Sequence, residues 1–195
     1  MKTPNILTSF RQSHLNGVIN AENGLLPGDK SISHRALIMA SLARGTTHIK
    51  GLNLGEDVEH TEFALKNLGV EINQKTTTTR QILGLGGWNF KQPINPLYLG
   101  NSGTTARLLC GLLASSPLNV MLYGDSSLTH RPMRRVMTPL LEFGCQFEAT
   151  QENTLPLTIK GSTTLQPIDY VIPVASSQVK SAIILAAMNT KGISR

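Results

Sequence analysis

The chain has 195 residues, 40% of them hydrophobic and 15% charged, with eighteen basic against twelve acidic side chains and a net charge of +6. That is enough apolar material for a sizeable core, and the positive balance favours anionic partners in general. Cys110 and Cys145 are the two cysteines and the five histidines lack ligand spacing, which excludes a disulfide framework and offers no metal site. The longest uncharged run, Leu108 to Gly124, is broken by Gly, Ser, Pro and Asn and excludes a membrane span. The N-terminus has no apolar leader, so a soluble protein of a reducing compartment, the cytoplasm, is expected. Nucleic acid is not the expected partner: the densest basic cluster is His130-Arg131-Pro132-Met133-Arg134-Arg135, and three Tyr, five Phe and one Trp leave few stacking platforms.

In chain order, residues 1–26 read as an extended lead-in closed by Pro27-Gly28. A helix is expected over Ser33–Ala43, ended by Gly45, then a strand over Thr46–Ile49. A second helix covers Val58–Leu68, closed by Gly69, and strands follow at Val70–Ile72 and Arg80–Leu85. The order then repeats: helix Thr104–Ala114, strand Val120–Leu122, helix Pro132–Phe143 closed by Gly144, strands Cys145–Phe147 and Leu157–Ile159. A third unit begins near Val171 and reaches only its first helix before Arg195, so the chain reads as a fragment of something longer. The expected fold class is α/β (α+β), built from subdomain-sized repeats.

Each unit opens with one phrase: hydroxyl residues, a cation, then an apolar helix. The phrases are Ser31-Ile32-Ser33-His34-Arg35, Ser102-Gly103-Thr104-Thr105-Ala106-Arg107 and Ser176-Ser177-Gln178-Val179-Lys180. Their cations at 35, 107 and 180 are 72 and 73 residues apart. A helix start has free N–H groups and the positive end of the dipole, and a hydroxyl cap with a nearby cation makes it an anion site. Lys30 and Arg35 flank what reads as a capping serine pair. Gly100 and Gly103 let main chain approach a ligand closely. Arg131, before Pro132, is placed to point out of a helix mouth, because arginines at a helix start oppose the dipole unless an anion is present. Taken singly, each phrase is also compatible with an ordinary capped helix carrying solvated cations. His34, His60 and His130 read as surface or supporting groups rather than catalytic bases, and Glu56, Asp57 and Asp125 as caps.

Leu26-Pro27-Gly28-Asp29-Lys30-Ser31-Ile32-Ser33-His34-Arg35, Gly100-Asn101-Ser102-Gly103-Thr104-Thr105-Ala106-Arg107, Arg131-Pro132-Met133 and Ala175-Ser176-Ser177-Gln178 occur in this order. Together they resemble the EPSP synthase (3-phosphoshikimate 1-carboxyvinyltransferase) family, over essentially the whole chain. The wording from Asp125 to Met133 is similar to the branch that includes members tolerant of glyphosate, the inhibitor that targets this family. The resemblance implies one of the two domains of the enolpyruvyltransferase fold, each made of β-α-β-α-β-β units around a pseudo-threefold axis. Residues 1–29 would belong to or cross to the other domain, and 30–195 would be most of the shikimate-3-phosphate-binding domain.

It further implies a monomeric transferase of aromatic amino acid biosynthesis, without cofactor or metal, whose partners are shikimate 3-phosphate and phosphoenolpyruvate. By motif match, Lys30, Ser31, Arg35, Ser176, Ser177 and Gln178 would hold shikimate 3-phosphate. Lys30, Asn101, Gly103, Arg131 and Gln178 would hold phosphoenolpyruvate, with Lys30 the catalytic group. The family's acid–base Asp and Glu lie outside these motifs, so the fragment is expected to bind but not to turn over. Two alternatives stand beside this one. A UDP-N-acetylglucosamine enolpyruvyltransferase would carry a reactive Cys shortly before Arg-Pro, where this chain has Gly124-Asp125-Ser126-Ser127. A non-catalytic anion- or RNA-binding module would use the same helix starts.

Overall fold

A computed structural model describes residues 28–195; the lead-in reading of residues 1–26 lies outside them. The first unit runs α1 (Lys30–Leu42), β1 (Arg44–Ile49), α2 (Glu56–Asn67), β2 (Glu71–Gln74) and β3 (Arg80–Leu85). The second runs β4 (Leu97–Tyr98), α3 (Gly103–Ala114), β5 (Asn119–Tyr123), α4 (Ser126–Thr129), α5 (Arg134–Glu142), β6 (Gln146–Ala149) and β7 (Leu157–Lys160), and α6 (Ser177–Ala187) opens the third. The glycines expected to close helices or turn the chain, Gly45, Gly69 and Gly144, all have positive φ, at 79°, 92° and 98°.

The repeat is visible in the sheets. One has the order β1-β3-β2 and is antiparallel; the other is β4-β5-β7-β6, so β5, β7 and β6 repeat the first pattern. β4 joins the outer edge parallel to β5 and supplies the leading strand of the β-α-β-α-β-β unit. Helices pack on these sheets and on one another. α2 lies against α1 and α3, and α5 against α3 and α6, so each second helix is wedged between successive first helices.

α3 is the centre. Apart from Thr104 and Arg107 it is buried all round, the mark of a helix surrounded by structure rather than bordering solvent. Leu108, Leu109, Leu112 and Leu113 are fully buried on it, with Leu37 and Ile38 from α1 and Leu65 from α2. α6 crosses α3 at Gly111, where a Cβ would lie 2.2 Å from the Ala182 carbonyl oxygen and 2.5 Å from the Ala182 Cα. Gly in a helix interior costs about 1 kcal/mol relative to Ala, and here its bareness lets two main chains touch.

Three helix starts differ from expectation. α1 begins at Lys30 because Asp29 caps it, its carboxylate accepting from Ile32 N–H at 2.7 Å. The serines are therefore not the cap: Ser33 lies in the first turn, donating to the Asp29 carbonyl at 2.7 Å and accepting from Asn53 N–H at 3.0 Å. The helix expected from Pro132 begins at Arg134, after the one-turn α4 that Asp125 caps through Leu128 N–H at 2.7 Å. Arg131 thus lies in the α4–α5 link, and only Arg134 and Arg135 stand in the first turn. Glu56 and Asp57 do not cap α2 either; its N-cap is Gly55, and both acids sit in the first turn, where the dipole favours them.

Candidate anion-binding site

The starts of α1, α3 and α6 are tied to one another by arginine and glutamine side chains. From α1, Arg35 reaches to α6: Nε and Nη2 donate to Ser181 Oγ at 3.1 and 2.8 Å, and Nη2 to the Ser177 carbonyl at 3.4 Å. Its Nη1 donates back to the Ser31 carbonyl at 2.9 Å. From α3, Arg107 Nη1 donates to the Gly103 carbonyl at 3.0 Å and to Gln178 Oε1 at 3.1 Å, and Nη2 to the Pro132 carbonyl at 3.3 Å. The other end of the Gln178 amide donates to Thr104 Oγ1 at 2.8 Å. Ser102 and Ser176 cap α3 and α6, accepting from Thr105 N–H at 3.2 Å and Val179 N–H at 3.3 Å.

Beside them, Arg131 donates to the side-chain oxygen of Asn101. A Cβ on Gly103 would lie 2.7 Å from Arg107 Nη1 and 3.1 Å from Arg131 Nη1, so both guanidinium groups crowd one point above a bare main chain. Lys30, the first residue of α1, pairs with Asp57 at 2.9 Å. Ser31 is exposed next to it.

Of the residues singled out in the sequence, Arg35 and Ser177 meet directly, Asn101 meets Arg131, and Gly103 lies under Arg131. Gln178 joins the α3 and α6 starts. Lys30 and Ser31 stand at the same helix start as Arg35. The third cation of the repeat, Lys180, is exposed, and it is its neighbour Ser181 that receives Arg35. Sequence reasoning missed Ser181, Thr104 and the Asp57–Lys30 pair. Arg107 was visible as a repeated cation but was not counted among the binding residues.

The charge state of this mouth is unusual. Among the described residues the ion pairs use Lys30, Lys66, Arg80 and Lys160, so Arg35, Arg107 and Arg131 meet only neutral oxygens. Burial, and then the positive charges of Arg131 and Arg135, push the Arg107 guanidinium below its ordinary value. Three guanidinium groups held by neutral acceptors, beside helix N-termini, form a site complementary to anionic oxygens.

Behind the mouth lies His34, fully buried, with its Nδ1 2.7 Å from Thr61 Oγ1. It is therefore a supporting group and not a surface one. Burial lowers its pKa to about 4, so it is neutral at pH 7. Cys110 and Cys145 are buried too; burial raises both thiols, that of Cys145 to about 12, and neither is a reactive thiolate. Among the described residues no group of three His, Cys, Asp or Glu could hold a metal, and no helix is long and apolar enough to cross a membrane.

The family model described as EPSP synthase (3-phosphoshikimate 1-carboxyvinyltransferase) matches residues 11–195. The chain is 48% identical over 170 residues to the 3-phosphoshikimate 1-carboxyvinyltransferase of Zymomonas mobilis, covering 87% of this chain and 38% of that protein. It is 46% identical over 186 residues to that of Leuconostoc mesenteroides, covering 95% of this chain and 42% of the relative. A solved EPSP synthase from Acinetobacter baumannii superposes with a TM-score of 0.82 at 42% identity, over 85% of this chain and 38% of that one. The chain spans about two-fifths of the length of the curated relatives it matches.

Proposed function

The chain belongs to the EPSP synthase family, and from that premise we propose that the joined starts of α1, α3 and α6 form the shikimate-3-phosphate half-site of an enolpyruvyl transferase. The observation that carries this reading is the set of three arginines at or beside those helix starts, Arg35, Arg107 and Arg131, which have no acidic partner among the described residues. Arg35, with Ser31, Ser176, Ser177 and Gln178, takes the 3-phosphate and a neighbouring hydroxyl. Arg131, steered by Asn101 and passing over Gly103, takes phosphoenolpyruvate, with Gln178 and Lys30 at the junction of the two.

In the reaction the 5-hydroxyl of shikimate 3-phosphate attacks C2 of phosphoenolpyruvate as C3 is protonated, and phosphate leaves the tetrahedral intermediate. The guanidinium groups hold two polyanions in contact despite their repulsion, which is positioning and electrostatic work. Lys30 is the catalytic group of this half: its ammonium, now on Asp57, balances charge or supplies a proton as the intermediate forms and collapses. Turnover by this reading needs the remaining three-fifths of a relative's length, so the chain alone binds substrate without converting it. Neither a nucleic acid nor a membrane has a role in it, and the whole enzyme works as a cytoplasmic monomer.

Titration calorimetry with shikimate 3-phosphate, using UDP-N-acetylglucosamine and inorganic phosphate as controls, tests the proposal. Selective binding that is lost in Arg35→Ala is the expected result. Equal affinity for all three ligands, or steeply salt-dependent RNA binding in place of shikimate 3-phosphate binding, would overturn it.

A further inference from the structure

His34 touches none of the groups assigned above, yet it is the buried end of a polar chain running beneath them. Its Nδ1 lies 2.7 Å from Thr61 Oγ1 on α2. Thr61 Oγ1 is 2.7 Å from Thr105 Oγ1 on α3. Thr105 Oγ1 in turn lies 2.6 Å from Ser102 Oγ and 3.1 Å from the Asp57 carbonyl oxygen. His34, Thr61, Ser102 and Thr105 are all buried, where an apolar core would avoid the desolvation of four polar groups.

Counting protons fixes the direction of the chain. A carbonyl oxygen only accepts, so the single hydroxyl proton of Thr105 goes to Asp57. Thr105 Oγ1 then accepts from both Thr61 and Ser102. Ser102 is free to donate because its own oxygen accepts from Thr105 N–H. Thr61, having given its proton to Thr105, accepts from His34. The imidazole proton therefore sits on Nδ1, and Nε2 is a bare lone pair, buried and without a protein partner among the described residues.

The members of this chain lie within the first two turns of their helices: His34 in the second turn of α1, Thr61 one turn beyond Asp57 on α2, Ser102 and Thr105 at the cap and first turn of α3. Asp57 also closes it back onto α1 by pairing with Lys30. On the opposite side, Gln178 joins α3 to α6 and Arg35 joins α6 to α1. The mouth is thus enclosed by a ring of hydrogen bonds, and the His34 chain is its α1–α2–α3 arc.

We propose that His34 is a positioning residue: as its Nδ1–H tautomer it heads a one-way hydrogen-bond chain through Thr61 and Thr105 that sets the α3 start, with Gly103 and Arg107, against the α1 start, with Lys30 and Arg35. Its consequence for affinity rests on reading the mouth as the shikimate-3-phosphate half-site; its consequence for geometry does not.

The test uses the folded chain and two variants. His34→Asn keeps an N–H able to donate to Thr61, and His34→Leu keeps bulk alone. Nitrogen-15 spectra of the parent imidazole are expected to show a protonated Nδ1 and a bare Nε2. The backbone amide resonances of Gly103, Thr104 and Arg107 should move in His34→Leu and stay in His34→Asn. Shikimate-3-phosphate affinity should fall about five- to tenfold in the leucine variant and recover in the asparagine variant, as expected for one lost hydrogen bond. Thr61→Val and Thr105→Val combined should lose no more affinity than Thr105→Val alone, because both cut the same chain. An Nε2–H tautomer, or α3 amides unmoved in His34→Leu, overturns the inference. A parent that fails to bind while the α3 amides respond as stated supports the chain and refutes the substrate reading.

Discussion

Arg80 and the arginines of the mouth have opposite partners. Arg80 is 6% exposed and has its countercharge: Nε donates to Glu62 at 2.7 Å, and Nη1 to the carbonyls of Thr76, Thr77 and Thr79 at 3.1, 3.0 and 3.3 Å. Lys66 completes the Glu62 carboxylate at 2.7 Å. Arg35, Arg107 and Arg131 have hydrogen bonds but no countercharge among the described residues. A cation neutralised by its own fold serves the fold, here by fastening α2 to the turn before β3. A cation oriented by neutral groups and left charged serves whatever brings the missing charge.

The largest way to break that comparison is Arg80→Ala. It leaves the buried Glu62 carboxylate to Lys66 alone and removes the donor shared by the Thr76, Thr77 and Thr79 carbonyls, so urea denaturation should show a loss of about 3 kcal/mol, with shikimate-3-phosphate affinity of the folded fraction unchanged. Acidification comes next. His34 has a folded pKa of about 4 against an ordinary 6.5, so the unfolded chain takes the proton first. Stability should therefore fall between about pH 6.5 and 4, by up to about 3 kcal/mol, and His34→Asn should remove that dependence. Glu62 follows at lower pH. Burial alone would raise its carboxyl, but Lys66 and Arg80 hold it below its ordinary 4.5, and the stability it contributes is lost as pH drops through that lowered value.

Arg35→Ala sharpens the contrast from the other side. Calorimetry should give about a ten- to hundredfold loss of shikimate-3-phosphate affinity, the effect of a charge-assisted bond, while the urea midpoint moves less than in Arg80→Ala. Gly103→Ala should be milder. Its methyl meets only the mobile ends of Arg107 and Arg131, so stability should change by less than about 1 kcal/mol. The displaced Arg131 should weaken phosphoenolpyruvate-induced amide shifts and spare those caused by shikimate 3-phosphate. Smallest of all is Asp57→Asn. The Lys30–Asp57 pair is open to solvent, so its removal should cost less than about 1 kcal/mol, and the difference should vanish in high salt.

Much of this was legible in the sequence because it is local. Gly45, Gly69 and Gly144 marked helix ends through a backbone requirement, and the apolar run after Arg107 marked a helix over Thr104–Ala114. The three opening phrases pointed to α1, α3 and α6, and Arg35 to the mouth. The failures are short or distant. β4 has two residues and α4 four, too few for any period to show. Asp29 was passed over as a cap because two serines stood beside it. The Arg35–Ser181 bond spans 146 residues and the Thr61–Thr105 bond 44; nothing near either residue announces its partner. Arg131 was recognised by its motif, but Asn101 steers it from a separate loop, and that is a fact of tertiary structure.

The crossing at Gly111 has a consequence for descent. What fills the space of its absent side chain is main chain from Ala182, and main chain cannot be mutated away. No change on α6 can make room for a methyl at position 111, whereas an ordinary core residue can trade volume with its neighbours over generations. The apolar residues around the crossing are free to drift in compensating pairs. Position 111 is not, and it should persist as glycine in any lineage that keeps α6 where Gln178 can reach α3.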